Sequence, residues 1–559
     1  MDRRLERLHA LRGTFGPEAS RERHALLGVL ARTRWEDAAS LAAWHDELLF
    51  VAAFPDTHRN LRAAREALRH VAARVRALPA AERDALGDSG IAGTVTAHTF
   101  NFGAARWLAA HDECLEFAWE DPDDASRLDP LLALTLTPVE GDRFESGEVS
   151  TADWLAEAAQ ALTRRGRGAA YWLLSRPPAA NPAILRALYD AAEPPLRWEI
   201  GDSPHATSHA QVTGPPVLRR AFRPLPRDPV AHIATPLRGI RLARGDEARR
   251  WHDACLAALL PRTREVFPTI YANHREIHLA PLGEGVTLCL LGAAPEDRSA
   301  LEANYGYVLF SNGVPIGYGG VTPFGAQANT GANIFESFRR SEAPFVFAQA
   351  LRAFRTLFGV TRFVVNPYQF GAGNDEALAS GAYWFYDRLG FRPADPEAAA
   401  LAARERAAIA RDRAHRTGLR TLRALARGDL LLTLPGAGND GPMPEHLLID
   451  AGRLATRVLA QVPAGARTAW LARRSHELRV RCTGEDRALT AAERRGAKHL
   501  VPLLAALLPR IARWTREERA ALWQLVAKKG GARERPFARA AAVHARLWRT
   551  LRAAVAIQT

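Results

Sequence analysis

The sequence predicts an α/β middle domain flanked by a mixed α+β N-terminal domain and an all-α C-terminal domain. Three observations carry this. Between Tyr305 and Pro393, apolar runs and helical patterns alternate as strand, helix, strand, helix, strand. Between Asp202 and Pro229, Pro204, Pro215, Pro216, Pro224, Pro226 and Pro229 interrupt any regular element. From Leu401 to Thr559, helical patterns recur in a segment holding 31 Lys+Arg against 13 Asp+Glu. The divisions read as 1–201 (mixed), 202–229 (Pro-rich linker or long surface-hugging connection), 230–400 (α/β) and 401–559 (basic, helical). A chain of 559 residues suits this at roughly 150 residues per domain.

The first domain opens with helices. Leu61, Ala64, Leu68, Val71 and Val75 recur at helical spacing after Pro55. The run Thr94–Phe100, then Leu115–Trp119 and Leu132–Leu136, read as short strands, and helices return at Asp153–Leu162 and Ile184–Ala192. In the middle domain, Ile240–Leu242, Ile277–Leu279 and Thr287–Leu291 are strand candidates around a helix through Ala248–Leu260. Tyr305–Phe310 and Val314–Val321 flank Ser311-Asn312-Gly313, and Asn-Gly between apolar runs is the strongest local hairpin signal. Ala332–Phe338 reads as a strand, Pro344–Leu357 as a helix, Arg362–Val365 as a strand and Gly381–Leu389 as a helix, with the last strand starting at Phe391. Gly390 is positioned to cap that last helix in the left-handed conformation that Leu389 resists. A helix follows from Pro396 to His415, and 445–559 reads as all-helical, with Thr515-Arg516-Glu517-Glu518 forming a capping box.

Composition narrows the class. Hydrophobic content of 47% with 24% charged residues is that of a globular chain, not a disordered one. Cys114, Cys255, Cys289 and Cys482 lie far apart without a CxxC, which fits a reduced, cytoplasmic setting with no zinc or disulfide framework. The N-terminus lacks an apolar signal core, and the longest apolar run, Leu500–Pro509, is too short to span a bilayer. The net charge of +14 is uneven: 401–559 carries +18 (31 − 13), leaving −4 (44 − 48) for the other 400 residues. Such a segment attracts an acidic protein or nucleic acid, unless it is a helical domain with a solvated arginine face.

The string Trp384-Phe385-Tyr386-Asp387-Arg388-Leu389-Gly390-Phe391-Arg392-Pro393 resembles the closing motif of the GNAT superfamily of acyl-CoA N-acyltransferases. The hairpin Phe310–Val321 resembles that family's middle strands, and Ile334–Arg340 its central strand. The resemblance covers roughly a quarter to a third of the chain. It implies a mixed sheet with helices on both faces, and acetyl-CoA or another acyl-CoA as co-substrate with no metal. It also implies an amine acceptor, small or macromolecular.

It further implies roles. Tyr386 matches the helix tyrosine near the CoA sulfur, where a phenol can protonate the departing thiolate. Glu336 stands where many members carry the base that deprotonates the amine. The family's pyrophosphate loop reads Gln/Arg-x-x-Gly-x-Gly/Ala; here Arg340-Ser341-Glu342-Ala343-Pro344-Phe345 has the basic residue and no glycine. Arg339, Arg340, Ser341 and Ala343 are its expected anion-binding residues, with Ser341 as N-cap of the next helix. Ala379 stands where the family often has Asn. The loop Asn366–Asp375, at the C-terminal edge of a strand, is a candidate substrate loop with Asn366, Gln369 and Asn374 as polar readers.

Two functions stay open at this point, with a third reading that joins them, in which the basic segment captures an acidic donor or substrate, such as an acyl carrier protein or a tRNA, for the middle domain to act on. One is a GNAT-like N-acyltransferase moving an acyl group from a thioester to an amine. The other is a catalytically inactive GNAT-like scaffold whose basic segment binds nucleic acid or an acidic protein. Gly87-Asp88-Ser89-Gly90, the pair His205 and His209, and the acidic turn Glu120–Asp124 carry no convincing site, and there is no Walker A or Rossmann string.

Overall fold

A computed structural model of the chain describes residues 2–111, 113–163, 168–176, 181–339, 341–412, 414–438, 441–444 and 446–556. It divides into two compact units: Met1–Phe222 with Arg250–Ile270 and Phe310–Ile316, and Arg223–Arg249 with Tyr271–Leu309 and Gly317–Thr559. Among the described residues no helix is long and apolar enough to cross a membrane.

The first unit is mixed. Its helix Ala38–Ala53 carries apolar residues on all faces and is buried along most of its length, with Trp44 and Leu48 fully enclosed. The strands β1 (Val95–His98), β2 (Cys114–Phe117) and β3 (Leu196–Glu199) form an antiparallel sheet in the order β1-β3-β2. The strand expected at Leu132–Leu136 is instead the end of a helix, Asp129–Thr135, which Pro130 starts. Its Leu and Ala residues favour helix, and no β-branched residue opposes them before Thr135. The Pro-rich stretch forms no helix or strand from 202 to 228, and much of it packs as a long connection. Thr207, Ser208 and Arg219 are buried there, and the Arg219 amide donates to the Pro55 carbonyl at 2.7 Å.

Most of a nine-stranded mixed sheet belongs to the second unit. Its strands are β4 (Arg241–Leu242), β5 (Ala272–Gly283), β6 (Val286–Ala293), β7 (Tyr305–Ser311), β8 (Val314–Phe324), β9 (Gln327–Ile334), β10 (Arg362–Val365), β11 (Arg392–Pro393) and β12 (Leu430–Thr433). The order is β11-β12-β10-β9-β8-β7-β6-β5-β4. Asn312 (φ +47°) and Gly313 (φ +82°) form the two-residue turn between β7 and β8, both left-handed as a primed turn requires. β9 pairs antiparallel with β8, and parallel with β10. The β9–β10 crossover is α1 (Ala343–Phe358), started by Pro344 and ended by Gly359 (φ +76°), with Val346, Phe347, Ala350, Leu351, Phe354 and Leu357 on its buried face. Then come α2 (Asp375–Ser380), α3 (Ala382–Arg388), α4 (Pro396–Arg411) and α5 (Leu419–Leu425).

Two expectations are corrected here. The strand read at Ala332–Phe338 stops at Ile334, and Glu336–Phe338 is a 3-10 turn. Alternation alone cannot locate where a strand loses its partner. Residues 401–559 are neither all-helical nor a separate body, because β12 inserts between β10 and β11 of the same sheet. Leu430-Leu431-Leu432 is apolar without period, so pairing on both edges, with Leu430 and Leu432 buried, chose the strand.

A buried polar cluster also ties the C-terminal helices to the sheet. The Glu276 carboxylate, on β5, accepts from Tyr305 Oη (2.9 Å), the Glu534 amide (2.6 Å) and the Arg535 amide (2.7 Å), at the start of α6 (Arg535–Val543). Arg298 donates to the carbonyls of Lys529 and Gly531, and Lys529 pairs with Glu534, all with side chains out of solvent. Buried charge persists only when so partnered.

Candidate active site

The site begins where two parallel strands part. The β9–β10 register ends at Asn329↔Val364, and β9 then runs on from Thr330 to Ile334 without β10 beside it. Tyr386, on α3, closes part of the gap: its hydroxyl accepts the Ala332 amide at 3.2 Å. Glycines on β8 and β9 allow other side chains to approach these strands closely. A Cβ on Gly331 would lie 2.5 Å from Gln369 Oε1, and one on Gly319 2.5 Å from the Tyr307 hydroxyl, which donates to the Gly331 carbonyl.

The Tyr386 ring is 1% exposed and packs edge-on against Phe347, Phe370, Phe385 and Phe391. Burial pushes its phenol up to about 12, with the Ala332 amide pulling slightly the other way. The group is therefore neutral near pH 7. With its lone pair engaged by Ala332, its proton remains to be donated.

Around it lies a cleft of about 290 Å³, walled by Ala332–Ile334 of β9, the start of α1 at Ala343 and Pro344, Gln369, α2 and α3. Five of the sequence-predicted residues line it together: Tyr386, Arg339, Ala343, Gln369 and Asn374. Their engagements differ. Arg339 is ion-paired with Glu376, and its Nε donates to the Ile334 carbonyl. Asn374 caps α2 by accepting the Ala377 amide at 3.0 Å, and donates to the Tyr368 carbonyl. Gln369 makes no side-chain hydrogen bond with the described residues.

The others fall elsewhere. Glu336 is exposed on the 3-10 turn and does not line the cleft, so the strand-borne base expected there is not formed. Ser341 is not the N-cap of α1: its hydroxyl donates to the Phe338 carbonyl at 2.6 Å, and Glu342 takes the cap position. Asn366 is exposed, ahead of the turn Pro367–Phe370 and off the cleft lining. Arg340 lies outside the described residues.

Sequence reasoning missed Glu376, Trp384 and Arg388, which also line the cleft. Trp384 and Arg388 sit two residues either side of Tyr386 on one short helix, a signal that was present. Glu342, in the string before α1, is 2% exposed, and its carboxylate accepts the Arg223 amide at 2.9 Å. Among the described residues no cluster of His, Cys, Asp and Glu could hold a metal ion.

The chain matches no protein-family profile, no curated protein and no solved structure.

Proposed function

We propose that this cleft transfers an acyl group from a thioester to an amine. The observation that carries the reading is the Tyr386 hydroxyl, neutral and proton-bearing, set in the gap where β9 and β10 part. The resemblance of Trp384–Pro393 to the GNAT closing motif supports it. In the step, the amine nitrogen bonds to the thioester carbonyl carbon and the C–S bond breaks. The departing sulfur takes the phenolic proton of Tyr386, and the proton shed by the amine restores the phenol through water. The products are an amide and a free thiol. Glu376 is the one carboxylate among the residues lining the cleft, and Arg339 holds it as a partner, so water at the open mouth is the base. Gln369 also lines the cleft and offers a polar side chain to the bound groups.

The test is thiol release from acetyl-CoA and from S-acetyl-4′-phosphopantetheine with a panel of amines. Release that depends on an amine and collapses in Tyr386→Phe is the expected result. No release and no binding of either thioester at millimolar concentration would sink the reading.

A further inference from the structure

We infer that the acyl donor is borne by an acidic carrier protein on a phosphopantetheine arm, and that this protein docks on the arginine face of α4 and α5. The inference rests on the thioester reading above and names the donor class for that same cleft.

A helix N-terminus with open amides draws phosphate, but at α1 a buried carboxylate stands at the cap position. Glu342 holds the cap position as a buried carboxylate on the Arg223 amide. A pyrophosphate brought to these amides meets that like charge at close range, and Pro344 removes one donor. Arg339 is already engaged by Glu376. The thioester end of a donor therefore finds a cleft, while among the described residues the nucleotide end of CoA finds no cradle at α1.

One cation on the cleft is unengaged. Arg388 is exposed, lines the cleft, and makes no ion pair or hydrogen bond with the described residues. A single arginine suits the single phosphodiester of a protein-borne arm.

The surface beside the cleft is strongly basic. The Trp384 indole donates to Thr417 Oγ1 at 3.0 Å, which brings the α4–α5 connection to the cleft wall. Arg423 lies 3.8 Å from Asp375 at the start of α2. From Arg388 to Arg427 the chain holds ten arginines and four acids, with Arg392 and Arg406 paired to Asp387 and the others carrying the excess. Two of those acids are spent internally: Asp395 caps α4, and Glu405 takes His415 and Thr417. Arg404 and Arg411, seven residues apart, share one face of α4. They and Arg420 and Arg427 are exposed and unpaired among the described residues. Such a face steers and orients an acidic protein.

The test uses the full chain and three acetyl thioesters: acetyl-CoA, S-acetyl-4′-phosphopantetheine, and an acidic acyl carrier protein loaded with an acetyl group. The expected ranking of kcat/KM is carrier protein at least tenfold above the other two, with those two within about threefold of each other. The double charge reversal Arg420→Glu/Arg427→Glu then removes most of the carrier-protein advantage and leaves turnover of the small thioester intact, which also shows that the variant folds. Glu342→Gln, which keeps an acceptor for Arg223 and removes the charge, raises acetyl-CoA affinity. Acetyl-CoA preferred tenfold over acetyl-phosphopantetheine in the native chain would overturn the inference while leaving acyl transfer standing. So would charge reversal that abolishes binding of a transfer RNA with no effect on the carrier protein. Turnover of none of the three overturns the thioester reading itself.

Discussion

Tyr386→Phe tests the site most directly, because the structure separates its structural effect from its chemical one. The substitution keeps the ring among Phe347, Phe370 and Phe391 and removes one oxygen. That oxygen accepts the Ala332 amide at 3.2 Å, so the variant leaves a backbone donor without that partner, a cost of about 1–3 kcal/mol. Loss of a positioned proton donor costs about 10²–10⁴ in rate, or about 3–5 kcal/mol in barrier. The chemical effect therefore exceeds the structural one. At saturating thioester and amine, kcat falls at least about a hundredfold while KM moves little, because a group acting on the leaving sulfur is felt in the transition state. The pH dependence carries a second check. Burial pushes the folded phenol up to about 12, above the ordinary value near 10, so the native state holds the proton more tightly than the unfolded chain. Its stability contribution is full below pH 10 and is lost as pH rises toward 12; the Phe variant lacks this alkaline loss. A kcat within about threefold of the native value, in a variant that remains folded, refutes the assignment of Tyr386 as the acid.

Three further perturbations follow from the packing. Glu276→Gln leaves Arg298 facing an uncharged partner and weakens the cap on α6, so chemical denaturation should show a loss of about 3–5 kcal/mol in the transition of the second unit; a loss under about 1 kcal/mol would mean the cluster is dispensable. His278 is 2% exposed, and burial, with Arg535 and Arg533 adding to it, depresses its imidazole to about 3. The unfolded chain then binds the proton more readily, so stability is full above about pH 6.5 and drains as pH falls toward 3, by up to about 1.4 kcal/mol per pH unit. His278→Gln should flatten that acid limb in denaturation curves taken from pH 7 to 4, and an unchanged limb would exclude His278 as its source. Gly313→Ala places a Cβ 1.9 Å from the Val212 carbonyl oxygen at φ +82°, and should lower the thermal midpoint or abolish soluble expression, where an unchanged midpoint would contradict the turn geometry.

Much of the site was legible because it depends on local chemistry. The Asn312-Gly313 turn, the helix after Ser341 and the stop at Gly390 (φ +99°) each follow from what those residues allow the backbone to do. Tyr386 was found through its own short string, and Arg339, Gln369 and Asn374 through the loops that border the strands. Glu336 was misplaced because its role required β9 to continue beyond Ile334, and only the end of pairing with β8, at Gly317↔Ile334, fixes where that strand stops. Ser341 offered the right side chain for a cap, yet Glu342 took the position, because the chain turns through Glu336–Phe338 before α1 begins.

By itself, the sequence determined the α/β order of the middle region, the primed hairpin, the capped helices and the concentration of positive charge after Leu401. These are properties of neighbouring residues, and dihedral preference and composition suffice to set them. Tertiary structure alone decided that β12 joins the sheet between β10 and β11, and that Glu276 on β5 anchors α6 some 260 residues later. It also decided that Glu376, from one wall, neutralises Arg339 on another. Such partners are chosen by burial, since an apolar run such as Leu430–Leu432 and a charge such as Glu276 take a definite state only against the groups that exclude water from them.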